Sequence, residues 1–106
     1  MIMQGRQANP YLWQVTKTGE AFKPPLITPT TTDKEIRYAM GQQWVIDVLN
    51  EWLKLGRRKL LPLDDIINWQ NHLNPPPMLV DTPMDIIMFW AGVKSVMSWM
   101  STNVVD

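Results

Sequence analysis

The chain has 106 residues, which is enough for one domain that buries roughly two thirds of the surface of its unfolded state. Its ten basic and ten acidic residues cancel, so it lacks the positive excess with which proteins attract phosphate backbones over long distances. The hydrophobic and charged fractions, 45% and 19%, are typical of a folded globular protein, and the absence of cysteine excludes disulfides and thiol chemistry.

No stretch of the sequence predicts export or a membrane span. The longest unbroken apolar run, residues 86–91, is far shorter than the roughly 20 residues that a spanning helix needs. No apolar run follows Arg6 near the N-terminus, as it would in a secretory signal. Because a chain without cysteine suits a reducing compartment, we expect a cytoplasmic protein.

Residues 1–32 are predicted to form an extended, proline-rich N-terminal arm, because four prolines in this stretch are expected to prevent a continuous helix. Within it, Tyr11, Trp13 and Val15 alternate with their neighbours, and residues 16–19 offer a turn. That alternation predicts a short β-hairpin, which would have to pack against the helices to be stable. We expect the arm either to lie over the core or to reach a partner.

The remaining residues, 33–106, are predicted to form a three-helix domain, which makes the fold mainly α. The first helix is expected over residues 33–55. Thr32 and Glu35 match a capping box at its start, and Gly56 stands where a C-terminal cap belongs.

Two further helices are predicted over residues 63–73 and 83–101. Pro75 and the two prolines after it end the first of them. Thr82 and Pro83 supply a capping residue and a proline at the first helical position of the other. We identify no internal repeat.

The first and third predicted helices carry more apolar surface than one core-facing stripe requires. This surplus surface can be covered by the N-terminal arm, by a second copy of the chain or by a different protein. Burial within the same chain is the commonest of these outcomes. The candidate partner-binding residues are Ile36, Met40, Trp44, Met84, Met88 and Trp99.

The sequence offers no constellation of catalytic or metal-binding residues. The one histidine, His72, has no set of suitably spaced ligands around it, and the serines form neither a triad nor a nucleophile elbow. The glycines form no phosphate-binding pattern. We therefore predict no enzyme activity, no cofactor, no metal and no small-molecule substrate.

A basic cluster of Lys54, Arg57, Arg58 and Lys59 follows the first predicted helix. Cations at a helix C-terminus complement the helix dipole, which is sufficient reason for them to be there. The same four charges could contact an acidic protein or nucleic acid.

These observations favour a non-enzymatic protein-binding accessory module whose partner is another protein or a second copy of itself. An inhibitor of a host complex and an assembly factor or minor structural component of a particle both fit, and small size without motifs is typical of phage or mobile-element proteins. The alternative hypothesis is a nucleic-acid-binding protein that uses the basic cluster at residues 54–59.

Overall fold

A computed structural model describes residues 9–23, 27–73, 75, 77 and 79–105. Within these residues the fold is mainly α, with four helices and no strand. In chain order the helices are α1 (Pro10–Ala21), α2 (Asp33–Lys54), α3 (Leu63–His72) and α4 (Met84–Asn103).

Helix α1 occupies the segment for which the sequence predicted an extended arm with a β-hairpin, and that prediction is wrong. Pro10 stands at the start of the helix, where a missing backbone N–H does no harm, and the next proline is Pro24. The Asn9 side chain caps the helix by accepting a hydrogen bond from the Leu12 N–H at 3.1 Å. The buried side chains recur at helical spacing, at Tyr11, Gln14, Val15 and Thr18.

The three helices predicted from the sequence are present with small shifts at their ends. At the start of α2, Thr32 Oγ1 accepts a hydrogen bond from the Glu35 N–H at 3.2 Å, as the capping box predicts. After α2, Gly56 has a φ of 99°, a left-handed conformation that favours glycine. Helix α4 extends two residues beyond its predicted end, to Asn103.

Helices α2 and α4 form the centre of the fold and run in the same direction. Their N-terminal turns share a hollow lined by Asp33 and Met84, and farther along Gln42 Nε2 donates to Ser95 Oγ at 3.1 Å. The two helices approach closely at a pair of glycines. A Cβ atom at Gly41 would overlap the backbone of Phe89, and one at Gly92 would overlap the backbone of Tyr38.

The order of elements occurs twice along the chain: a short helix, a proline-rich connection and a long helix. Gly41 and Gly92 lie 51 positions apart, and so do two turns in the connections. In the first turn the Thr28 N–H donates to Thr31 Oγ1 at 2.8 Å, and in the second the Leu79 N–H donates to Thr82 Oγ1 at 2.7 Å. The order of helices and connections therefore repeats at a separation of 51 residues, which the sequence analysis did not identify because few of the corresponding residues are identical.

The core contains side chains from all four helices and from the α2–α3 connection. Val104, after α4, closes one end of it. Its buried apolar side chains are Tyr11, Val15, Val45, Ile46, Leu49, Leu61, Ile66, Val93, Val96, Met97, Met100 and Val104.

A buried glutamine ties α1 to two distant parts of the chain. Gln14 Nε2 donates to the carbonyl oxygens of Leu61 and Val104, each at 3.0 Å, and Gln14 Oε1 accepts from the Leu61 N–H at 2.9 Å. The neighbouring Tyr11 hydroxyl donates to the Leu49 carbonyl oxygen at 2.8 Å. These bonds satisfy polar groups that would otherwise be buried without partners, and they hold α1 in place.

Candidate partner-binding grooves

A first groove lies between the end of α1 and the outer face of α2. It has a volume of about 280 Å³, and its walls include two of the predicted partner-binding residues, Ile36 and Met40. Met40 is 46% exposed, and Ile27, which also lines the groove, is 67% exposed. The described lining residues are Phe22, Lys23, Ile27, Ile36, Ala39, Met40, Gln42 and Gln43.

A second and larger groove lies between α3 and α4, with a volume of about 600 Å³. Its walls are mainly apolar, and among the described lining residues the one charged side chain is Lys94, which is exposed. The sequence analysis did not predict this groove as a site. The lining residues within the described part of the chain are Gln70, Asn71, Leu73, Pro75, Ile87, Trp90, Ala91, Val93, Lys94 and Met97.

The two grooves occupy equivalent positions in the two halves of the fold. Six lining residues of the first groove correspond to lining residues of the second at a constant separation of 51 positions. The pairs are 22 and 73, 36 and 87, 39 and 90, 40 and 91, 42 and 93, and 43 and 94. At two of these pairs the second groove has Ala91 where the first has Met40, and Lys94 where the first has Gln43.

Four of the six predicted partner-binding residues line adjoining hollows along the N-terminal halves of α2 and α4. Met88 lines a hollow that shares Lys23, Ala39 and Gln42 with the first groove. Met84, which is 47% exposed, lines the next hollow along. With Ile36 and Met40 in the first groove, these methionines lie along a stretch of adjoining hollows, of which the one at Met84 is otherwise lined by charged side chains.

The two predicted tryptophans instead pack against other parts of the chain. The Trp99 ring lies edge-to-face against Phe22, with centroids 5.5 Å apart. The Trp44 ring lies 6.4 Å from that of Phe89 and 6.3 Å from that of Trp90. Such aromatic contacts stabilise a fold beyond simple burial, so much of the surface of both tryptophans is used inside the molecule.

The structure brings the four cations of the basic cluster together around the α2–α3 connection, and they differ in their contacts. The Arg57 guanidinium lies 5.4 Å from the centre of the Tyr11 ring, and Arg57 Nε donates to the Lys59 carbonyl oxygen at 3.0 Å. Arg57 is half-buried, whereas Lys54, Arg58 and Lys59 are exposed. Arg57 therefore has a structural role, and three cations face solvent.

Tyr11 is the one described side chain with a clearly shifted pKa. Burial raises the pKa of its phenol to about 12, and the nearby Arg57 charge lowers it in part. The phenol is fully buried and donates a hydrogen bond to a backbone carbonyl, so it stays protonated and supports the packing of α1.

Among the described residues, no group of three histidine, aspartate or glutamate side chains is placed to hold a metal ion. His72 is exposed, and its Nδ1 lies 2.6 Å from the Asn68 carbonyl oxygen one turn earlier in α3. Nor does any helix in the described part of the chain have the length and apolar character to cross a membrane.

No protein family, curated protein or solved structure matches this chain.

Proposed function

We propose that the chain is a non-enzymatic protein-binding module that holds apolar segments of its partner in the two grooves. The observation that carries this proposal is the second groove, an apolar channel of about 600 Å³ between α3 and α4. It is open at the surface, whereas the neighbouring core side chains are buried. Open apolar grooves between helices commonly receive the side chains of a partner.

The methionines beside the first groove suit the same role. Met40 and Met84 each expose nearly half of their surface. A methionine side chain is unbranched and polarisable, so it adapts to partner surfaces of irregular shape. The stretch from Ile36 to Met84 thereby extends the contact area beyond a single groove.

Within this class the chain is an inhibitor of a host enzyme complex, or an assembly factor or minor structural component of a particle such as a phage encodes. A small module with apolar binding grooves is compatible with both roles. The absence of cysteine supports a cytoplasmic site of action.

The test is affinity capture of a partner protein from a lysate of the native host by the tagged chain, compared with single charge substitutions. The two groove variants are Ala91→Glu in the second groove and Met40→Glu in the first. We expect at least one of these single substitutions to abolish capture of a stoichiometric partner. Leu12→Glu is the matched control, because Leu12 is 44% exposed on α1 and lines neither groove. Capture that survives both groove substitutions, or that is lost equally with Leu12→Glu, would refute the proposal.

Nucleic-acid binding is the second candidate, favoured by the three exposed cations Lys54, Arg58 and Lys59. Among the described residues none of them has an ion-pair partner. Binding of this kind weakens steeply as salt rises. If it occurs, Arg58→Glu with Lys59→Glu abolishes DNA or RNA retention in a filter-binding assay and leaves groove-dependent protein capture unchanged. Retention that the double substitution does not reduce would exclude the cluster as the contact.

A further inference from the structure

We propose that the second groove receives the turn at residues 79–82 of another copy of the chain, so that the protein forms a symmetric dimer through two such contacts. This inference rests on the proposed function, because it names the occupant of one of the two grooves.

The turn presents an apolar tip in a fixed conformation. Three hydrogen bonds hold it: Thr82 Oγ1 accepts from the Leu79 N–H at 2.7 Å and donates to the Pro77 carbonyl oxygen at 3.1 Å, and the Thr82 N–H donates to the Leu79 carbonyl oxygen at 3.1 Å. Leu79 is nevertheless 64% exposed and Val80 is fully exposed. A preorganised turn loses little conformational entropy when a partner covers it.

The apolar tip is not needed to make the turn. The corresponding turn in the first half of the fold has the same two hydrogen bonds, from the Thr28 N–H to Thr31 Oγ1 at 2.8 Å and from the Thr31 N–H to the Thr28 carbonyl oxygen at 3.0 Å. Where the second turn has Leu79, Val80 and Asp81, the first has threonine, proline and Thr30. Of these two turns, the second therefore has two exposed aliphatic side chains next to a carboxylate and the first does not. Binding to a partner would explain why these aliphatic side chains are present.

The groove complements this tip in apolar character and charge. Its walls are mainly apolar, it is large enough for aliphatic side chains, and the exposed Lys94 is the one charge among its described lining residues. Leu79 and Val80 match the apolar walls, and Asp81 beside them matches Lys94. Opposite charges placed in this way fix the orientation of two apolar surfaces as they dock.

A second copy is the occupant because the turn and the groove belong to the same chain but do not meet within it. Val80 has its full surface exposed, so the turn lies outside the groove of its own chain. When each of two copies inserts its turn into the other, the contact occurs twice around a two-fold axis and closes the assembly. Because the two contacts are small, we expect a weak dimer that dissociates into monomers on dilution.

The experiment is sedimentation equilibrium of the full chain over a concentration series, with single and paired charge reversals. We expect the wild type to dimerise, and Asp81→Lys or Lys94→Asp alone to weaken the dimer by about tenfold, because each places like charges together at both contacts. Asp81→Lys combined with Lys94→Asp should restore the dimer. Thr30→Lys, at the corresponding position of the first turn, should leave the dimer unchanged. Val80→Asp should abolish the dimer, since it places a charge against the apolar walls.

A wild type that stays monomeric at the highest concentration, or a double reversal as weak as the single ones, would overturn the inference. The two proposals fail separately. A monomer that still loses a captured protein on Ala91→Glu leaves the proposed function standing with a different occupant in the groove. A monomer whose capture no groove substitution affects refutes both.

Discussion

Replacing Gly41 with alanine should weaken the fold at the closest approach of α2 and α4. A Cβ atom there would overlap the carbonyl oxygen of Phe89, lie 2.8 Å from its carbonyl carbon and lie 3.1 Å from the backbone nitrogen of Val93. Carbon atoms in contact normally lie about 3.5–4.0 Å apart, so the two helices would have to separate by roughly 1 Å. The overlapping atoms are backbone atoms of another helix, which cannot move aside as a side chain would.

The magnitude follows from two opposing effects. Overpacking a well-packed contact destabilises by about 1–3 kcal/mol, here at the upper end because separation of α2 from α4 loosens contacts along both helices. The better helix propensity of alanine offsets about 1 kcal/mol of that loss. We expect a net loss of about 2 kcal/mol, which corresponds to a melting temperature lowered by roughly 10 °C.

The assay is urea and thermal unfolding followed by circular dichroism, and the control is Gly19→Ala. Gly19 lies in α1, and a Cβ atom added to it would meet no other part of the fold within 4 Å, so alanine there should stabilise by about 0.5–1 kcal/mol. Gly92→Ala should lower the free energy of unfolding by an amount similar to Gly41→Ala. The double variant should lower it by less than the sum of the two losses, because one separation of the helices relieves both clashes. A Gly41→Ala variant as stable as the wild type would refute the close approach of these helices.

Two further perturbations probe the attachment of α1. Gln14→Leu removes three buried hydrogen bonds and leaves backbone groups unsatisfied, so it should lower the free energy of unfolding by about 3 kcal/mol in urea titrations. The control is Gln43→Leu, which removes an exposed hydrogen bond to Asp47 and should change that free energy by less than about 0.5 kcal/mol. Since burial raises the pKa of Tyr11 to about 12, the folded state favours the protonated phenol. Its contribution is therefore complete below the unfolded pKa near 10 and is lost as pH rises from about 10 to 12. Between pH 9 and pH 12 the free energy of unfolding of the wild type should fall by about 2–3 kcal/mol more than that of Tyr11→Phe. Parallel profiles of this free energy against pH for the two proteins would contradict the prediction.

The sequence predicted both ends of α2, because the residues that signal them are neighbours along the chain. The α2 start follows from Thr32 and Glu35, and the glycine after that helix has the left-handed conformation expected of a C-terminal cap. These signals involve residues within one turn of each other, so no knowledge of the tertiary fold was needed to find them.

Helix α1 was missed because two of the four side chains on its buried face are polar. Gln14 and Thr18 interrupt the apolar period that identifies a helix, and only their hydrogen bonds in the folded chain make them suitable for burial. Asn9 followed by Pro10 was the local signal that would have revealed the start of this helix.

The second groove could not be predicted from the sequence because it depends on the distance between two helices. The residues on its walls, such as Ile87 and Trp90, have the same apolar character as core residues, and only the position of α3 relative to α4 leaves them partly uncovered. The three partner-binding residues predicted on α2 were separated for a related reason. Trp44 packs against aromatic rings of α4, while Ile36 and Met40 line the first groove.

The hydrogen bonds of Gln14 also determine how this molecule can meet a partner. Detaching α1 would break the three buried hydrogen bonds of Gln14 and the buried hydrogen bond of the Tyr11 hydroxyl. It would also bring the Tyr11 and Val15 side chains into water, at a total cost of about 5–8 kcal/mol. If the chain binds a partner as proposed, binding should therefore use a surface that exists before the encounter. Association should then proceed in one step, at a rate set by diffusion and orientation and without a slow rearrangement of α1.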